Sequence, residues 1–154
     1  MDYFSLCLDG LCLTGQAFMH LIFISRLTEK KIKLWYFAVY IFLLCGIEFL
    51  SARFDGAGIL PVSMEIIVLY SMSRFAFGNL RPVSCVAAFF AVYISQLSFG
   101  IINSLEAIIF PDVIGKALLY LLVILATLIA FAVCICCYAA ALKLMPLVRG
   151  SQMP

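Results

Sequence analysis

Five apolar stretches, separated by short polar segments, take up almost all of this 154-residue chain. They run roughly over 3–25, 34–50, 59–77, 83–102 and 117–142, each near the ~20 residues an α-helix needs to cross a ~30 Å hydrocarbon layer. Water inside a bilayer cannot satisfy a bare backbone, so a spanning segment of this length has to be helical. The expected fold class is therefore all-α: a polytopic membrane protein, one bundle of five transmembrane helices forming a single domain over 1–154.

Basic residues fix an expected orientation. Arg26, Lys30, Lys31 and Lys33 follow the first stretch, Arg74 and Arg81 the third, and Lys143 and Arg149 the fifth, so eight of the ten Lys and Arg fall on one side. Arg53 and Lys116 fall on the other. The positive-inside rule then predicts N-out/C-in. Asp2 precedes the first stretch, Asp9 lies early within it, and the basic cluster follows it. That order fits a retained span better than a cleaved signal sequence, which begins with a basic region. With 66% hydrophobic and 12% charged residues, against about 45–50% and about 25% in soluble domains, no separate soluble domain is expected. The localisation expected is the cell's inner (cytoplasmic) membrane, with the lipid bilayer as the first partner. The basic loop is too short for a nucleic-acid surface. Its role is to meet anionic headgroups, with Trp35 and Tyr36 at the interface.

Punctuation supports the divisions. Gly56 and Gly58 mark a turn before the third stretch, Pro61 suits its first helical turn, and Pro82 opens the fourth. Residues 103–116 form the longest expected connection. Small residues at four-residue spacing (Ala126 with Ala130, Ala132 with Cys136 and Ala140, Ser84 with Ala88, Ala87 with Ala91) offer helix contacts. All seven cysteines lie inside apolar stretches, where Cys packs as a small hydrophobe rather than forming a disulfide framework. Cys134, Cys136 and Cys137 have no His or acidic neighbour in sequence, so no metal site is expected.

Polar groups inside spans are costly and mark function or interhelical bonding. Asp9, Gln16 and His20 recur on one face of the first helix, and Gln96, Gly100 and Asn103 on one face of the fourth. Glu48 and Glu65 flank the turn between the second and third spans. The candidate ligand-binding residues are accordingly Asp9, Gln16, Glu48, Glu65, Gln96 and Asn103, forming a polar pocket near the outer face that would take a small cation. The alternative is that these groups only bond helices together. His20, the single histidine, is expected to be shallow, near the inner interface. No nucleophile–base set, Gly-rich phosphate loop or nucleotide motif is present. No catalytic residue, no cofactor and no enzymatic activity are expected.

Residues 93–111, YISQLSFGIINSLEAIIFP, with the loop SRLTEKK at 25–31, resemble the N-terminal membrane sensor region of peptide-quorum-type (GHKL-class) histidine kinases of Firmicutes. The resemblance implies signal input, with an extracellular peptide or small cation as ligand and a second copy or a kinase as partner. It departs from that family in two ways. No phospho-acceptor helix or ATP-binding motif follows, and five spans are counted where the family often has six or more. The expected function is an integral membrane sensor or receptor-like input module lacking the catalytic half. Rival readings are a small substrate-binding membrane subunit of a transporter, or a structural membrane subunit without ligand.

Overall fold

A computed structural model describes residues 3–51, 59–79, 81–109 and 116–144, and within them the side chains of 7, 10–51, 59–79, 81–102 and 120–144. Among the described residues all regular structure is helical: α1 (Tyr3–Thr28), α2 (Leu34–Ser51), α3 (Ile59–Ser71), α4 (Arg81–Ile109) and α5 (Lys116–Leu144). A π-helical turn, Met72–Ala76, continues α3 without a break. Five helices are long and apolar enough to cross a membrane, which defines a multi-pass membrane protein. The largest departure from the expected boundaries is in α4. It continues as helix to Ile109, through residues read from sequence as a loop. Ser104, Leu105, Glu106 and Ala107 include no Gly or Pro, so nothing local ends the helix before Pro111.

Helix α1 ends where Glu29 takes a left-handed backbone conformation (φ 55°) and the Lys30 N–H bonds the Ser25 carbonyl at 3.1 Å. This six-to-one closure is a Schellman motif, with Glu in the position that glycine usually fills. Beyond the π turn the Phe77 N–H bonds the Met72 carbonyl and the Asn79 N–H bonds the Ser73 carbonyl, both at 3.2 Å. Gly78 lies between at φ 63°, which a Cβ would disfavour. Buried Asn79 donates from Nδ2 to Ser73 Oγ at 3.1 Å, and its carbonyl accepts from Arg74 Nη1 at 2.6 Å. The two connections at this basic end also hold each other. Lys30 Nζ donates to the Gly78 carbonyl at 3.3 Å, and the Tyr36 hydroxyl to the Ala76 carbonyl at 3.1 Å.

Helices α1, α2, α3 and α4 form a ring in which each packs on the next and α4 returns to α1; α5 lies outside, against α4 and α1. Small residues allow the closest approaches. Ser84, Ala87, Ala88 and Ala91 make one fully buried face of α4. On α5 the buried line is Ala130, Cys134 and Tyr138, whereas Ala132, Cys136 and Ala140 face outward. That corrects the expectation of contacts along Ala132, Cys136 and Ala140: with lipid outside, an outward small residue costs nothing, so spacing alone did not select the packed stripe. Gly15 admits the Phe131 ring so closely that a Cβ there would lie 2.5 Å from its tip. Phe131 is held edge-on by Phe99 at 5.0 Å between centroids, and Phe23 stacks on Tyr138 at 4.6 Å. Only 11% of the Tyr120–Leu144 span is buried inside the protein, against 39% of Gly10–Thr28, so α5 is the peripheral helix.

Candidate functional site

The inside of the ring is polar at one level. Each of its four helices contributes one residue: His20 from α1, Tyr40 from α2, Glu65 from α3 and Gln96 from α4. His20 Nδ1 and the Tyr40 hydroxyl are 2.9 Å apart. Glu65 Oε1 lies 3.3 Å from His20 Nδ1 and 3.4 Å from the Tyr40 hydroxyl. Gln96 Nε2 donates to the other carboxylate oxygen, Oε2, at 3.4 Å. The side chains of His20 and Glu65 are 1% and 8% exposed, and Tyr40 is wholly buried. Burial of this kind in a spanning bundle is tolerated because each group finds a partner on a neighbouring helix.

Above this cluster, on the side away from the basic loops, a pocket of about 180 Å³ opens. Gln16, Glu48, Glu65 and Gln96 line it, one from each helix of the ring, among Leu13, Leu44, Ile47, Pro61 and Val62. Four of the six residues singled out from the sequence are thus brought together. The side chains of the other two, Asp9 and Asn103, lie outside the described residues. Glu65 joins the two parts: its carboxylate lines the pocket and also contacts the buried His20–Tyr40 pair.

His20 is fully buried among the helices, eight residues before the end of α1 at Thr28. Helix α1 remains buried through Leu27 and Thr28, with Arg26 exposed in its last turn. The His20 ring lies on the inward polar face already marked by Gln16. Tyr40 was missed entirely. Its signal was available: a phenol well inside an apolar run needs a partner for its hydroxyl when buried.

Among the described residues, the buried atoms His20 Nε2, Ser84 Oγ and Ser95 Oγ have no hydrogen-bond partner. Basic side chains are absent from the site among the described residues: Arg26, Lys30, Lys31, Lys33, Arg74, Arg81 and Lys143 all lie at the other end of the helices. The carboxylates therefore face an opening with no Lys or Arg among the described residues. All seven cysteines are free thiols, and no group of three or more His, Cys, Asp or Glu with metal-binding placement occurs among the described residues.

A multi-pass membrane protein with a polar site inside a four-helix ring is what these features define. No protein-family model, curated protein or solved structure matches the chain.

Proposed function

We propose that this protein is an integral membrane sensor or receptor-like input module, inserted N-out/C-in in the cytoplasmic membrane, whose pocket takes a small organic cation from outside. The observation that carries the reading is the convergence of Gln16, Glu48, Glu65 and Gln96 from four different helices on one pocket. Residues that only joined neighbouring helices would bond in pairs along each seam and leave no opening. Two carboxylates and two amides carry six side-chain oxygens that can accept from an ammonium or guanidinium group. Apolar walls at Leu13, Ile47 and Val62 would hold its carbon skeleton. The volume suits a primary amine, a guanidinium compound or one cationic side chain of an extracellular peptide. The eight-to-two division of Lys and Arg supports the orientation. The resemblance to kinase sensor regions supports signal input, with a second copy or a kinase as output partner.

The test is binding by the purified protein in lipid nanodiscs, using methylammonium, agmatine and guanidinium as probes. Saturable binding of at least one is expected, with loss on Gln96→Leu and on Glu65→Gln. No binding of any cationic probe overturns the reading. The burial of His20 and Glu65 inside the bundle favours a second reading as a substrate-binding transporter subunit. Flux of the bound probe across liposomes, dependent on an added partner subunit, would select it over sensing.

A further inference from the structure

The buried cluster below the pocket has more than a structural use. Tyr40 has one hydroxyl proton and sits within contact of both His20 Nδ1 and Glu65 Oε1. Two arrangements satisfy the same three atoms. In one, a protonated Glu65 donates to the Tyr40 oxygen and Tyr40 donates to Nδ1. In the other, the imidazolium donates from Nδ1 and Tyr40 donates to the carboxylate. They differ by a concerted shift: the Glu65 O–H breaks as a new Tyr40 O–H forms, and the old Tyr40 O–H breaks as Nδ1–H forms. One proton is shared, and both forms are electrically neutral.

Neutrality is what a site at this depth demands. An uncompensated unit charge removed from water is costed in several kcal/mol. No Lys or Arg among the described residues is available to balance one there. The other titratable groups facing the cluster are few. Glu48, from α2, is exposed where it lines the pocket. Tyr138, from α5, gives its hydroxyl to the Ala91 carbonyl at 2.6 Å and lies against Cys134. Described α3 and α4 residues add only Glu65 itself and the amide Gln96. Glu48 aside, a cation that entered against Glu65 while the shared proton stayed would leave the buried His20–Tyr40–Glu65 trio and its ligand with a net charge of plus one. A site that had lost its proton before the cation came would carry minus one.

Resting on the cation-pocket reading above, we propose that cation and proton exchange one for one: each cation that docks on Glu65 expels the proton held between Glu65 and His20. The proton leaves as the carboxylate turns to the cation. The O–H of Glu65 breaks, or the Nδ1–H of His20 breaks and its proton reaches Glu65 through Tyr40. Water at the pocket mouth receives it. No other bond changes and nothing is oxidised. The site is then a proton-linked one, in which acidification outside releases the ligand.

Calorimetric titration of nanodisc-embedded protein with methylammonium, agmatine or guanidinium, in buffers of different ionisation enthalpy, counts the protons released. About one per cation is expected, with affinity rising up to tenfold for each pH unit while the empty site keeps its proton. Glu65→Gln should abolish both binding and release. Binding with no proton released overturns the exchange and leaves the pocket reading standing; binding and release that persist in Glu65→Gln overturn both. No binding of any probe overturns both. Infrared difference spectra of the wild type, cation-loaded minus cation-free, make the same test without a variant. Loss of a protonated-carboxyl band or of an imidazolium band is expected, the latter attributable because the chain has a single histidine. A spectrum with neither change refutes the proposal.

Discussion

Replacing Tyr40 with Phe removes one oxygen atom from the ring and changes almost nothing else. The side chain is wholly buried, so the phenyl ring keeps its packing and no surface is newly exposed. What is lost is the group lying 2.9 Å from His20 Nδ1 and 3.4 Å from Glu65 Oε1. A buried polar group left unpaired costs about 1–3 kcal/mol, so two stranded partners would cost roughly 4 kcal/mol. Glu65 and His20 are already 3.3 Å apart and can bond directly, which recovers about half. The expected loss is therefore about 2 kcal/mol. Tyr138→Phe is the matched control. Its hydroxyl donates to the Ala91 carbonyl, a group that the α4 helix bonds in any case, so its loss should be near the ~0.6 kcal/mol typical of interhelical bonds in membranes. Unfolding by SDS in mixed micelles, followed by circular dichroism, measures both. If Tyr40→Phe is no more destabilising than Tyr138→Phe, the cluster is not a connected network and the reasoning fails.

Other perturbations test other parts of the molecule. Gly15→Ala should loosen α5 and destabilise the protein by about 1–3 kcal/mol, because Phe131 cannot retreat past Phe99; unchanged micelle stability would show that the ring gives way freely. Asn79→Ala should cost about 1–3 kcal/mol through its buried amide and the stranded Ser73 hydroxyl, measured by the same unfolding assay, while Ser73→Ala at the other end of that bond should cost less. Reporter fusions after Leu80 and after Pro154 are expected to read cytoplasmic and one after Gly56 external. A cytoplasmic reading at Gly56 sinks the N-out orientation.

The apolar periodicity carried most of the fold into view. Five stretches of nearly the right length became five helices because lipid leaves an isolated backbone no other option. The ring of α1 to α4, with α5 outside it, was not legible. Nearly every face of α5 is apolar, and lipid imposes no penalty that would mark which face packs. Four pocket residues stood out because amides and carboxylates are rare and costly in spans. Tyr40 did not, since an aromatic residue counts toward the apolar pattern even when its hydroxyl is the part that matters. The partners of His20 were not legible either, since Tyr40 and Glu65 reach it from other helices. The π turn at Met72–Ala76 has no sequence cue that we can identify.

The place of α5 outside the ring bears on how the molecule is made. A membrane protein is threaded into the bilayer from its first residue onward, and every group lining the pocket is encoded before residue 97. The binding chamber can thus close while the last span is still within the ribosome and translocon. The fifth helix then arrives as a late clasp across the seam between the first and the fourth, seated by the notch at Gly15. A nascent chain arrested at residue 144, with the fifth span still inside the ribosome, is expected to cross-link already between cysteines introduced at positions 16 and 96. Absence of that cross-link until the fifth span emerges would show that the clasp, and not the chamber, forms first.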